Sequence, residues 1–182
     1  MTYYAGPDLA RAFRTVRTNT IQIAQEIPEE QYGFRPAPDT RTVAETLAHM
    51  AAQTRWHQRL HGVDKKTFVA FDDFMSYMKD VGAFEAGLAG RTKADLIAAL
   101  EAEGESFSTW LASLSSDDLG QVVGFPPPID PPKKTRFEML LSAKEHEMHH
   151  RGMLMLVERL LGIVPHLTRA RQERAAAATA RS

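Results

Sequence analysis

From Thr135 to Leu161 the chain runs without a proline, and its inward-type residues recur in steps of four and three. They are Met139, Ala143, His146, His150, Met153, Val157 and Leu160. Such a stripe predicts one long helix with a single face turned to a core. A helix of this length cannot bury that face alone, so the rest of the chain must supply partner helices. Thr135-Arg136-Phe137-Glu138 has the pattern of a capping box at its start, and Gly162 and Pro165 follow its end.

Three further segments show the same periodicity between Pro or Gly breaks. The first spans about Asp8 to Ile27, with Leu9, Phe13, Val16, Thr20, Ile23 and Ile27 as its stripe and Pro28 as its stop. The second opens on the capping box Thr42-Val43-Ala44-Glu45 and ends near His61, with Gly62 as its C-cap. The third opens at Thr92-Lys93-Ala94-Asp95 and reaches about Leu114, with Leu96, Leu100, Phe107, Trp110, Leu111 and Leu114 inward. Residues 63–90 form a long connection in which 72–89 hold one or two short helices, with Phe74, Tyr77 and Met78 inward. The run Gly124-Phe125-Pro126-Pro127-Pro128-Ile129-Asp130-Pro131-Pro132 excludes helix and central strand. No stretch alternates with period two. The predicted fold is therefore all-α, a four-helix bundle with a long connection between helices 2 and 3. The bundle domain covers residues 1–167, and an Ala/Arg-rich tail, a frayed helix or disordered, covers 168–182.

Composition removes several classes of function. The chain has 182 residues and a net charge of −1, so no global field draws it to nucleic acid or an anionic membrane. The tail arginines Arg169, Arg171, Arg174 and Arg181 lack interleaved aromatics, which reads as a solvated end. There is no cysteine, which excludes a disulfide scaffold, a Cys-ligated zinc site and a protein thiol nucleophile. The N-terminal residues lack the basic and apolar regions of a signal peptide, and no apolar run approaches membrane-spanning length. The expected location is cytoplasmic.

The candidate site lies in the fourth helix. His146 and His150 are four residues apart, on one face and about one turn from each other. Both fall inside the stripe, and a polar ring facing a core is costly unless something satisfies it. A metal ion does so, and a hydrogen-bonded pair is the plainer alternative. A catalytic metal usually takes three protein ligands and keeps an open position. Helix 2 offers His49, His57 and His61. At about 100° per residue His57 is nearest the centre of the apolar face, with His49 roughly 70° toward the rim, so pattern alone slightly favours His57. His57 and His61 read more simply as a core ring and a helix-end ring. His149 reads as a neighbour of the site or a surface group. His166 is expected exposed, Glu145 and Glu147 are expected in solvent, and Arg151 pairs with Glu147 or reaches across the bundle.

Four elements together carry a resemblance: Phe34-Arg35-Pro36-Ala37-Pro38, Glu45-Thr46-Leu47-Ala48-His49-Met50, His146-Glu147-Met148-His149-His150-Arg151-Gly152, and Leu161-Gly162-Ile163-Val164-Pro165. The chain resembles the DinB/YfiT-like superfamily of bacterial metal-binding four-helix bundles over most of residues 8–166. The resemblance implies a divalent metal, zinc or nickel, held by His49, His146 and His150. Met153 departs from the glutamine that often follows the HRG element in that family.

The resemblance also implies a function: metal-dependent S-transfer of a low-molecular-weight thiol, of the mycothiol or bacillithiol type, to small electrophiles. A chain without cysteine would take its thiol from outside. Metal-dependent hydrolysis and non-enzymatic binding of a metal or small ligand are the alternatives. No nucleic-acid or membrane partner is expected. A homodimer is implied, and Met148, Leu154, Met155, Leu156 and Leu161, all off the main stripe, would supply its apolar surplus.

Overall fold

Three of the bundle helices begin where the sequence places a side-chain cap, at Thr42, Thr92 and Thr135. Thr42 Oγ1 accepts from the Glu45 amide at 3.1 Å while Glu45 accepts from the Thr42 amide at 2.7 Å. The Thr92–Asp95 and Thr135–Glu138 pairs repeat this reciprocal arrangement. Each box satisfies donors that a helix start otherwise leaves bare, worth about 1 kcal/mol.

The computed structural model describes residues 4–180; residues 1–3 and 181–182, among them Arg181, lie outside the described residues. Along the chain run α1 (Gly6–Glu26), a 3-10 turn (Glu29–Gln31), α2 (Val43–Ala52), α3 (Thr54–Gln58), a π-turn (Arg59–Val63) and α4 (Phe71–Gly87). Then follow α5 (Lys93–Ala112), α6 (Ser116–Gly120), β1 (Val122–Gly124), β2 (Lys133–Thr135), α7 (Arg136–Leu160) and α8 (His166–Thr179). The fold is the all-α bundle expected. α1 packs against α5 and α7, and α2 packs against the same two, which puts α1 and α2 at opposite corners.

One core cluster joins Ile23, Leu47, Met50, Leu96, Leu100 and Leu154, and a second joins Leu9, Phe13, Phe107, Leu111 and Leu140. Between them lies a polar knot. Arg17 of α1 donates to both oxygens of Glu147 on α7, at 2.7 and 2.8 Å, to the Leu100 carbonyl of α5 at 2.7 Å and to the Met50 carbonyl of α2 at 3.0 Å. One guanidinium thus touches all four bundle helices. Gly104 makes room for it, since a Cβ there would stand 2.8 Å from Arg17 Cγ.

Several local expectations are corrected. Glu147 is buried and paired with Arg17 rather than solvated or held by Arg151. His166 is buried too, and its Nε2 lies 3.0 Å from Asn19 Oδ1. Helix 2 does not run straight to His61. It breaks at Gln53 and closes in the π-turn, where Gly62 lies against Trp110 and acts through its missing side chain, not as a C-cap. The proline-rich run, by contrast, is neither helix nor central strand, as expected: it is the loop of a short antiparallel ribbon, β1–β2, with Val122 opposite Thr135. The connection holds one helix, α4, whose Tyr77 is buried while Phe74 is 40% exposed. The tail from 168 continues in α8, where Arg169 pairs with Glu26 at 2.6 Å.

The stripe of α7 also rotates away from its expected line. Met139, Ala143, His150 and Val157 are buried, but Met153 and Leu160 are exposed, and Leu140, Glu147 and Leu154 take the inner face instead. A strict alternation of four and three has a period of 3.5, whereas a straight helix has 3.6. The line therefore drifts by about 20° per heptad, roughly 60° between Met139 and Leu160.

Candidate metal centre

His49 occupies the last turn of α2 because Leu47, Met50 and Ala51 face the first core cluster and turn the histidine to the edge. There it meets α7. His49 Nε2 stands 3.0 Å from His146 Nε2, which stands 3.1 Å from His150 Nε2. Together the three residues offer ligand atoms that all lie within 4.8 Å of one another. His49 and His150 are buried and His146 is half-buried. The structure thus brings together the trio implied by the resemblance. It leaves out His57, which the helical pattern slightly favoured: His57 lies eight residues further on, in α3, buried with its ring tilted against Trp56 at a centroid separation of 3.8 Å.

The chemistry of this donor set fits a cation. Glu85 of α4 lies 2.8 Å from His49 Nδ1. A carboxylate accepts only, so Nδ1 carries the proton and Nε2 presents its lone pair to the centre. Gln53 lies 3.3 Å from the same Nδ1. His146 Nε2 faces two other Nε2 atoms and has at most one proton to share with them. Three converging ring nitrogens therefore cannot satisfy one another pairwise, whereas one positive ion satisfies all three. Two ligands at about 2.0–2.1 Å around a tetrahedral ion lie roughly 3.3 Å apart, close to the spacing seen here.

Burial keeps the rings neutral, as ligation needs. It lowers the pKa of His49 against the opposing pull of Glu85, and lowers that of His146 with help from His49. His150 is pushed down to about 3, by burial first and then by the two neighbouring rings.

The remaining histidines divide as their surroundings dictate. His149 is exposed. His57 and His61 are buried, their rings parallel within 18° at 6.1 Å. Burial drives His57 far below its ordinary value and His61 down to about 3, so both are neutral core rings. A cavity of about 60 Å³ lined by Trp56, His57, Ala143, His146 and Glu147 separates this pair from the centre.

Sequence reasoning missed Glu85. It lies in the connection, on a helix whose extent was not resolved, and no spacing relates it to His49. Carboxylate partners of a ligating histidine fix its orientation, and losing one typically costs about 10–100-fold in metal affinity. Glu85→Gln should therefore weaken zinc binding by about that factor, read by competition with a chromogenic chelator. An unchanged affinity would remove Glu85 from the centre.

Residues 12–154 match the family model described as the DinB superfamily. Among solved structures, a DinB-like protein, YjoA, from Bacillus subtilis is 21% identical, with 85% of this chain and 92% of that one covered at a TM-score of 0.61. YfiT from Bacillus subtilis, described as a probable metal-dependent hydrolase with an unusual four-helix bundle topology, is 15% identical, with 90% and 91% covered and a TM-score of 0.64. The sibling lethal factor precursor DfsB is 14% identical, with 90% and 100% covered and a TM-score of 0.62. No curated protein sequence matches. No described helix is long and apolar enough to cross a membrane.

Proposed function

The chain belongs to the DinB superfamily, and on that premise we propose that it is a metal-dependent enzyme acting on a small molecule, with His49, His146 and His150 as the ligands. The observation that carries this reading is the convergence of three neutral imidazoles on one point beside a carboxylate that orients one of them. Imidazole ligands suit zinc and nickel alike. Such an ion supplies Lewis acidity, lowering the pKa of whatever water or thiol reaches its open position. The chain's own residues do the rest: Glu85 holds the His49 tautomer, and the Arg17–Glu147 pair fixes the turn of α7 that carries His146.

Hydrolysis and thiol transfer both fit this centre. Hydrolysis is supported by the description of the relative YfiT as a probable metal-dependent hydrolase. Thiol transfer is favoured by a different observation. Two carboxylates beside the trio are engaged, Glu85 by His49 and Glu147 by Arg17, so neither is free to take a proton from water. A thiol is already the stronger acid and needs no such base. Metal-loaded protein incubated with electrophile and ester panels, with and without a low-molecular-weight thiol, separates the two. Turnover that requires the thiol supports transfer, turnover without it supports hydrolysis, and turnover that survives chelation overturns the metal-dependent reading.

We also infer a two-fold homodimer. Its support is the exposed apolar face of α7, where Met148, Met153, Leu156 and Leu160 stand between 37% and 57% exposed. Leu154, first assigned to that surplus, is instead buried in the core. Light scattering should give about twice the 20.3 kDa of one chain, and Leu156→Glu should halve it. A wild-type mass of one chain at micromolar concentration would remove the dimer.

A further inference from the structure

A cavity of about 440 Å³ opens between the start of α2 and the end of α4, lined by Tyr32, Arg41, Ala48, Glu85 and Leu88 among others. Its wall adjoins the metal centre, although none of the three histidines lines it. Glu85 is the residue bound to His49 Nδ1, and Ala48 precedes His49 on α2. The charged groups around it are accounted for with one exception. Glu45 is held by Arg35 at 3.1 Å and caps α2, and Glu85 is held by His49. Arg41 makes no ion pair and no side-chain hydrogen bond among the described residues, and it is exposed. Its charge nevertheless reaches the rings of His49, His146 and His150, each of which it disfavours in the protonated form.

We propose that Arg41 is the anchor for a carboxylate on the substrate, which lies in this cavity with its reacting group toward the histidine trio. The inference rests on the reading of that trio as an active centre. A planar guanidinium matches a carboxylate through two parallel hydrogen bonds, which an unpaired arginine at the mouth of a site is free to make. Tyr32, Ala44, Ala48 and Leu88 supply apolar wall for the body of the molecule. The substrate class is thus a small organic acid with an apolar body. A neutral molecule of the same shape loses the anchor, and a polyanion meets the Glu85 carboxylate.

The test is calorimetric binding of hexanoate and hexanamide to the metal-free protein, where no ion competes for the carboxylate, and then to the zinc-loaded protein. Hexanoate should bind at least 10-fold tighter than hexanamide in both. Arg41→Gln should abolish that preference and Arg41→Lys should keep part of it. Arg35→Gln, which removes the same charge from a residue already paired, should leave the preference intact. Equal affinity for the two probes, no binding of either, or an equal loss in Arg35→Gln would overturn the assignment. The metal-free arm gives its answer even if zinc fails to bind, so failure of the anchor and failure of the metal centre are read separately.

Discussion

Replacing Arg17 by Met should lower the unfolding free energy by about 3–5 kcal/mol, because it leaves the Glu147 carboxylate buried without its counter-charge. Both side chains are only 4% exposed, so water cannot take over the missing interaction. For a chain of this size the loss corresponds to a fall in Tm of about 6–20 °C. Exposed pairs such as Arg11–Asp8, where the arginine side chain is 74% exposed, should cost at most about 1 kcal/mol when broken. The double replacement Arg17→Met with Glu147→Leu should recover most of the loss, since removing both charges together leaves nothing stranded. The Leu100 carbonyl lies inside α5, whose own ladder serves it, whereas the Met50 carbonyl is in the last turn of α2 and loses its Arg17 donor, which keeps the recovery short of complete. Urea denaturation of the single and double variants measures the terms. A loss under about 1 kcal/mol for Arg17→Met would mean that the pair does not hold the four helices together.

That knot was not legible in the sequence. The apolar stripe of α1 points inward as expected, but it runs through Val16, and nothing in its spacing marks the next residue, Arg17, as a buried cation. The partner was not legible either, because Glu147 was placed in solvent by an α7 line drawn at period 3.5. Caps and breaks were read well, since Thr42, Thr92 and Thr135 act through residues only three positions away. The break at Gln53 was not, because no proline or glycine marks it. His57 is more buried than His49, as the pattern predicts, but it lies eight residues beyond His49 and outside the trio. Motif resemblance selected His49 where periodicity could not. Glu85 and Arg41 come to the centre only through the packing of α4 and the start of α2 against each other, a long-range arrangement with no local signature.

His150→Ala should abolish measurable metal occupancy, a larger effect than the roughly 10–100-fold expected for losing a supporting carboxylate. Two remaining imidazoles, both from different helices, hold an ion with one fewer bond and a more solvated position. The helix itself should survive: His150 lies between Ala143 and Leu154 on a face whose packing comes from apolar neighbours, so far-ultraviolet circular dichroism should stay near that of the wild type. Stability supplies the second readout. Metal at about 1,000 times its Kd stabilises the folded state by about 4 kcal/mol, because the unfolded chain does not present the trio. In this chain that is a rise of about 8–16 °C in Tm on metal addition, which His150→Ala should lose. His57→Phe is the control, since its ring lies outside the trio and should leave occupancy unchanged. Full occupancy in His150→Ala, or loss of metal in His57→Phe, would move the centre away from His49, His146 and His150.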